Sequence, residues 1–469
     1  MNREPPQGPF LVLGLGLAGT AAAAALAARG ERVVAVTPAP TPTVAEQAAA
    51  LEAVGVRVAV GGWNGDLGGA RTVVKSPGVP FTDPAIVAAR AAGLAVMDEL
   101  ELGRRLTARR LVPVTGTDGK STVSTALAAV LGAPLTGNAE FGVPLSALGP
   151  GDGPAVVECS SFQLEGCDGP LSDIAVLTNL SEDHLHRHGS LAAYAGAKRR
   201  LFVHDGATVE RAVVNTEGEA GRALADELAA AGAQVARIGD DYFVRGVAWD
   251  VRSASVRLAT PGGDVALDLR LPGPHNAVNA VTVLATCDLL GVAREQTLAA
   301  LTAFPGVPGR WDHVEAGQPF DVIVDFAHTE AGLRAVLRTA REITVLRETR
   351  LILVLSAGGG TDPRKRAAFG QLGAWHADRF ILTEGSNRGE SLEQVLAAVA
   401  AGAGERVELV RSRRDAIATA LACARAGDIV LIAGRGVMPR LLTDQSGNGP
   451  LFDDRTVARE ELERLGFAP

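Results

Sequence analysis

Short aliphatic runs alternate with alanine-rich stretches over the first hundred residues. The runs at 10–13, 32–36, 56–59, 72–75 and 94–96 have strand length, and the alanine-rich stretches between them have the length and composition of helices. Strands separated by helices predict a parallel, doubly wound sheet. The pattern resumes with runs at 111–115, 155–158, 174–179 and 212–215, again with helical spacers. From about residue 237 to 271 it changes to shorter segments broken by Asp240-Asp241 and Gly262-Gly263, which predicts antiparallel hairpins. Pro272-Gly273-Pro274 then opens a helix containing Asn276 and Asn279.

A breaker-rich stretch, Phe304-Pro305-Gly306-Val307-Pro308-Gly309, reads as a linker into a third region. Its strand candidates lie at 321–325, 350–355, 379–382 and 428–433. The expected organisation is three consecutive α/β domains at 1–107, 108–307 and 308–469: Rossmann-like, P-loop-like and Rossmann-like. No internal repeat at a fixed period is visible.

The length of 469 residues suits about three domains. A net charge of -8 supplies no basic footprint for nucleic acid or an anionic membrane, so phosphate recognition must be local. The four cysteines form no CxxC pair, which suits a reducing compartment and a cytoplasmic location. The N-terminus lacks a signal-peptide pattern. The apolar stretch 10–28 is mostly alanine and glycine and divides into strand, turn and helix, so it reads as soluble.

Two glycine loops carry the chemistry. Gly14-Leu15-Gly16-Leu17-Ala18-Gly19 has the G-x-G-x-x-G form between a strand and a helix. No acid follows at the end of the second strand, where Thr37 stands, and a dinucleotide site needs one about 20 residues on. The helix start still suits another diphosphate. The second loop, Thr115-Gly116-Thr117-Asp118-Gly119-Lys120-Ser121-Thr122, joins an apolar strand to a helix and aims backbone amides at phosphate. Lys120 supplies charge to the terminal phosphates and Ser121 a hydroxyl for Mg²⁺. Its spacing is shorter than the strict P-loop pattern.

Glu158 ends an apolar strand, where acids reach the ligand crevice of open sheets. His184, His186 and His188 lie within five residues, but without a cysteine or fourth ligand beside them a zinc site is not indicated.

Taken in order, the second glycine loop, Gly137-Asn138, Glu158 with Ser160-Ser161-Phe162-Gln163, Asn179 to His184, Tyr194 to Lys198, His275-Asn276 with Asn279, Arg310 and Asp325 resemble the Mur ligases of peptidoglycan synthesis. The likeness spans nearly the whole chain. It implies a cytoplasmic, ATP- and Mg²⁺-dependent amide ligase that phosphorylates a carboxylate and lets an amine displace the phosphate. On this resemblance Lys120, Glu158, His184 and Lys198 are catalytic, and Ser121, Glu158, His184 and Lys198 serve Mg²⁺, with Lys198 carbamylated. Gly116, Thr117, Asp118, Gly119, Lys120, Ser121, Thr122, Asn276, Asn279, Arg310 and Asp325 face ATP. Gly14, Gly16, Leu17, Thr37, Ser76, Pro77, Gly78, Asn138 and Ser160 face a uridine-linked substrate.

The first region and Ser-Ser-Phe-Gln-Leu-Glu resemble the branch that adds D-glutamate to UDP-N-acetylmuramoyl-L-alanine. Asp325-Phe326-Ala327-His328 and the run from Gly358 to Arg366 look more like the branch that adds a diamino acid. That branch's Asp-Asn-Pro-Arg is replaced here by Gly385-Ser386-Asn387-Arg388, and its Gly-Lys-Gly-His-Glu by Gly434-Arg435-Gly436-Val437-Met438. The acid that would receive a second amine is missing, while Lys365, Arg388 and Arg435 offer cations to a side-chain carboxylate. The expected amino acid is therefore D-glutamate, with a diamino acid as the alternative and a folate- or cyanophycin-type ligase behind it. A non-catalytic nucleotide-binding protein would bind ATP without amino-acid-dependent turnover. The loop departs from its family at Asp118, where asparagine is usual. The chain is expected to act as a monomer, without nucleic acid or membrane partners.

Overall fold

The computed structural model describes residues 6–38, 41–138, 142–360, 362–444 and 449–467. Thr361, within the third region's glycine-rich run, and the first five residues, on which the reading of the N-terminus rests, lie outside the described residues. The chain forms two compact units. One comprises residues 1–180, 190–240 and 282–293, the other 181–189, 241–281 and 294–469.

The first unit holds two parallel sheets. Five strands pair in the order Arg57–Val60, Val33–Thr37, Phe10–Leu13, Thr72–Lys75, Ala95–Asp98. Alternate residues of Phe10–Leu13 go to opposite faces: Phe10 and Val12 pack with Leu26 and Leu51, whereas Leu11 and Leu13 pack with Val73 and Ile86. Both faces are covered, so these strands read as unbroken apolar runs. The strand order reverses between Phe10–Leu13 and Thr72–Lys75, and the crevice of such a sheet lies at the carboxyl ends of those strands.

The second sheet of this unit has six parallel strands, Gln234–Ile238, Arg211–Asn215, Ile174–Leu177, Arg110–Thr115, Pro154–Glu158 and Leu135–Gly137. Two departures from expectation have local causes. The strand at Ile174 ends at Leu177, because Thr178 and Asn179 turn their side chains to the neighbouring loop. Arg237 belongs to a parallel strand, and the antiparallel piece begins only at Phe243.

The two sheets meet at the helix Glu99–Leu106. Asp98 caps that helix and pairs with Lys75 at 2.8 Å, both side chains wholly buried. The carboxylate of Glu99 accepts the Ser146 amide at 2.7 Å. A Cβ at Gly103 would stand 2.6 Å from the Ser146 nitrogen, so the helix can lie this close only with glycine there.

The second unit contains the antiparallel sheet Phe243–Trp249, Ala254–Ala259, Val265–Leu269 and a six-stranded sheet. The latter runs Asp312–His313, Asp321–Asp325, Ile429–Ala433, Leu351–Leu355, Arg379–Leu382, Glu408–Leu409, parallel except for its first strand. The indole of Trp311 donates to the Val251 carbonyl at 2.8 Å and ties the two sheets together. Among the described residues no helix is long and apolar enough to cross a membrane.

Candidate active site

In the first unit the second glycine loop leaves the strand Arg110–Thr115 and enters the helix Lys120–Leu131. Gly119 caps that helix with φ 78°, a left-handed conformation that disfavours a side chain. Lys120 Nζ donates to the Thr117 carbonyl at 2.8 Å. Ser121 is buried at the first turn, where amides have no partner within the helix. Loop, lysine and helix dipole together form an anion cradle.

Glu158 follows on the adjacent strand, 1% exposed. One carboxylate oxygen accepts from Asn138 Nδ2 at 2.7 Å, and Oε2 has no hydrogen-bond partner. A buried carboxylate oxygen left open is costly unless a cation meets it, so Glu158 fits the Mg²⁺ that its sequence context implies. Gly137, with φ 95°, turns the chain so that Asn138 reaches Glu158.

Lys198 is 2% exposed and donates to the Gly116 carbonyl at 2.6 Å and to Thr115 Oγ1 at 3.5 Å. Its Nζ also lies 4.6 Å from the centre of the Tyr194 ring, whose hydroxyl donates to Thr117 Oγ1 at 3.3 Å. Lys198 is thus an interior residue and not a surface lysine, although Arg199 and Arg200 follow it. Ser160 is a helix cap: it accepts from the Gln163 amide while Gln163 Oε1 accepts from the Ser160 amide, a reciprocal pair.

Of the residues assigned to the uridine-linked substrate, Gly14, Gly16, Leu17, Thr37, Ser76, Pro77 and Gly78 gather at the carboxyl ends of three adjacent strands of the first sheet, whereas Asn138 and Ser160 follow strands of the second sheet and are not brought to them by it. Ser76 Oγ donates to the Gly14 carbonyl at 2.8 Å, and Gly16 starts the helix Leu17–Ala28 with Leu17 exposed. Gly19 is fixed by packing, since a Cβ there would stand 1.8 Å from the Gly14 oxygen. Pro77 and Gly78 follow Ser76 in the next loop, and the carbonyl of Thr37 accepts the Gly61 and Gly62 amides.

In the second unit Asp325 Oδ2 accepts from the Trp311 amide at 2.8 Å and Oδ1 from the Ala327 amide at 2.7 Å. The Arg310 guanidinium stacks on Phe326, 4.1 Å from the ring centre. Asn276 Nδ2 donates to the Pro272 carbonyl at 2.8 Å, and Asn279 to Asn276 Oδ1 at 3.1 Å. Beside Asn276, burial pulls the pKa of His275 down to about 4, so its ring is neutral at physiological pH.

His184 takes a left-handed conformation, φ 53°. Its Nε2 lies 3.3 Å from Asp183 Oδ2, and the same carboxylate stands 3.8 Å from His328 Nε2 and 3.6 Å from Lys365 Nζ. Burial pushes the Asp183 carboxyl up, and Lys365, His184 and His328 together overcome that and hold it below the usual range. Asp362 is held down to about 2 by the Arg364 guanidinium. Arg388 also has positive φ, 48°, and is half-buried. Arg435 points inward: it is 2% exposed, donates to the Met438, Arg440 and Phe452 carbonyls, and lies beside the buried Arg413–Asp454 pair. Burial and Arg413 pull its pKa down to about 10.

Sequence reasoning missed the part played by Asn179 and Thr178. The signal was there, a threonine and an asparagine at the end of an apolar strand beside the glycine loop's strand.

Known families place this geometry. Residues 9–98 match the Mur ligase MurD-like N-terminal domain, 114–287 the Mur ligase middle domain and 309–436 the Mur ligase glutamate ligase domain. A UDP-N-acetylmuramyl-tripeptide synthetase of Roseiflexus sp. (strain RS-1) is 34% identical over 78% of this chain and 80% of its own. The chain belongs to the Mur ligase family. Another relative, a UDP-N-acetylmuramoyl-L-alanyl-D-glutamate--2,6-diaminopimelate ligase of Geobacillus kaustophilus (strain HTA426), is 34% identical over 65% of this chain, and the match spans 62% of that protein. A solved structure of a ligase bearing the same name superposes with a TM-score of 0.53 at 26% identity, over 85% of this chain and 93% of that one. A UDP-N-acetylmuramate-alanine ligase from Thermotoga maritima shares the fold at a TM-score of 0.63 and 22% identity, over 97% of this chain and 99% of that one. Mur ligases are ATP-dependent amide ligases of peptidoglycan synthesis, and the expected three-part α/β fold is thus met in this chain.

Proposed function

We propose that this Mur ligase extends a UDP-N-acetylmuramoyl peptide by one amino acid through an acyl phosphate, and that it adds a diamino acid to UDP-N-acetylmuramoyl-L-alanyl-D-glutamate. The observation that carries the choice of amino acid is the naming of its relatives, a tripeptide synthetase matched over most of both chains and a diaminopimelate ligase.

The chemistry follows from residue types. An ionised carboxylate has no leaving group, so its oxygen must first attack the terminal phosphorus of ATP, with ADP departing. The incoming amine then attacks the carbonyl carbon and inorganic phosphate leaves. Two anions meet in the first step, and Lys120 with the amides of the helix Lys120–Leu131 offsets their repulsion. Glu158 and Ser121 would hold one Mg²⁺, a carbamylated Lys198 would offer a further ligand, and His184 is assigned to Mg²⁺ by the family resemblance. Bound there, Mg²⁺ supplies charge neutralisation at the phosphates. Gly14, Ser76 and their neighbours would seat the uridine diphosphate at the switch point of the first sheet. Asn276, Asn279, Arg310 and Asp325 are assigned to the nucleotide, and Lys365 and Arg388 to carboxylates of the amino acid.

A second reading, addition of D-glutamate to UDP-N-acetylmuramoyl-L-alanine, is favoured by the MurD-like match at 9–98 and by Met438 standing where an acid would receive a second amine. One assay separates the two. ADP release is measured with ATP and Mg²⁺, pairing the dipeptide substrate with L-lysine, L-ornithine or diaminopimelate, and the alanyl substrate with D-glutamate. Turnover only in the last pairing overturns the first reading. Turnover in none overturns both.

A further inference from the structure

The phosphate loop is gripped by residues that no phosphate contact requires. The amide side chain of Asn179 holds both ends of residue 118: the Asp118 N–H donates to Asn179 Oδ1 at 2.9 Å, and Asn179 Nδ2 donates to the Asp118 carbonyl at 3.0 Å. The Thr178 hydroxyl donates to that same carbonyl at 2.6 Å, and the Thr117 N–H donates to the Asn179 main-chain oxygen at 3.1 Å. Gly116 completes the fit. A Cβ there would lie 1.9 Å from the Thr178 hydroxyl and 3.1 Å from the Asn179 nitrogen, so only glycine lets the loop approach.

We propose that Asn179, supported by Thr178, is a positioning residue that sets the loop's phosphate-binding shape; this rests on the loop being the ATP site. The bonds have a directional consequence. The amides of Thr117 and Asp118 point at Asn179, so phosphate contacts fall to the amides from Gly119 onward, at the start of the helix Lys120–Leu131. Asn179 therefore decides which amides face the anion. The grip uses only the main chain of residue 118, so aspartate in place of the family's asparagine leaves it intact.

The variants to compare are Asn179→Asp, which keeps the acceptor and replaces the donor by an oxygen facing the Asp118 carbonyl, Asn179→Ala, Thr178→Val and Thr178→Ser. ADP binding is measured calorimetrically with Mg²⁺ on the full chain, beside thermal melting. Loss of bonds that hold a shaped loop is expected to weaken ADP binding about tenfold or more in both Asn179 variants and about threefold in Thr178→Val. Thr178→Ser, which keeps the hydroxyl, should bind as wild type. The KM for ATP should rise while that for the uridine substrate stays constant, a split that general loosening would not give. If Asn179→Ala does not fold, Asn179→Asp and the Thr178 pair decide. Equal ADP binding by wild type, Asn179→Asp and Thr178→Val overturns the proposal alone. A wild-type chain that binds no ADP overturns the ligase reading together with it.

Discussion

Asn138 Nδ2 donates to Glu158 Oε1 at 2.7 Å, and this bond fixes a carboxylate whose other oxygen is buried without a hydrogen-bond partner and is open to the proposed Mg²⁺. Residues that orient a metal ligand typically contribute about 10–100-fold in metal affinity or activity. Asn138→Ala is therefore expected to raise the Mg²⁺ concentration for half-maximal ADP release by that factor. Glu158→Gln, which removes the ligand charge itself, should lose more. A Mg²⁺ titration of both variants checks the order, and equal Mg²⁺ dependence in Asn138→Ala and wild type would refute it.

Lys198 is buried against the Gly116 carbonyl and the Tyr194 ring, within reach of the phosphate loop. If it acts as a carbamate, Lys198→Ala removes a carboxylate-like ligand from a cavity of matching size. Activity should fall by at least about a hundredfold, the scale of losing one preorganised charged group, and formate or acetate should restore part of it. Intact-mass measurement under bicarbonate supplies a readout independent of turnover. Full activity in the variant sinks the assignment.

Burial pushes the Glu99 carboxyl up to about 7, against an ordinary value of 4.5. The folded chain therefore holds a proton that the unfolded chain has already released between those pH values. Its stabilising effect is complete below pH 4.5 and is lost as pH rises through 7. Neighbouring charges do not cancel this: the facing helix Leu17–Ala28 and the turn Leu145–Ala147 carry none, and Asp98, held by Lys75, raises the Glu99 value further. Glu99→Gln keeps an acceptor for the Ser146 amide and should flatten the decline. The melting temperature of the variant relative to wild type is expected to be higher at pH 8 than at pH 5, and a difference independent of pH would refute the assignment.

Gly19 faces the Gly14 carbonyl at a distance that no Cβ tolerates. Gly19→Ala must push the helix Leu17–Ala28 away from the strand Phe10–Leu13, a cost of about 1–3 kcal/mol. Since the Gly14 turn belongs to the proposed uridine subsite, KM for the uridine substrate should rise while ADP affinity stays at the wild-type value. Unchanged kinetics for that substrate would remove Gly14 from the site.

Much of the fold was legible because strands covered on both faces are continuous apolar runs, as at Phe10–Leu13 and Leu351–Leu355. Leu135–Gly137 was not, since a three-residue edge strand ending in glycine carries no periodic signal. Among the candidate site residues, Lys120 and Glu158 stood out because charged groups at strand ends and loops contrast with apolar sequence, whereas Lys198, within the helix Leu191–Arg199, was indicated only by the family resemblance. Arg435 could not be read correctly from the sequence. Its charge suggested substrate contact, while its guanidinium is engaged by main-chain carbonyls in the interior. Asn179 was visible at the end of an apolar strand and within the family resemblance, but its contacts were not, because its side chain bonds to another residue's backbone.

Residues 181–189 group with the C-terminal unit although they follow a strand of the central sheet. Asp183 has its partners His328 and Lys365 there, and His184 follows it directly. A hybrid of this chain with a relative, joined near Val307, would part Asp183 from its own His328 and Lys365. The short histidine-bearing stretch and the distant C-terminal region are therefore expected to work best when both come from one parent.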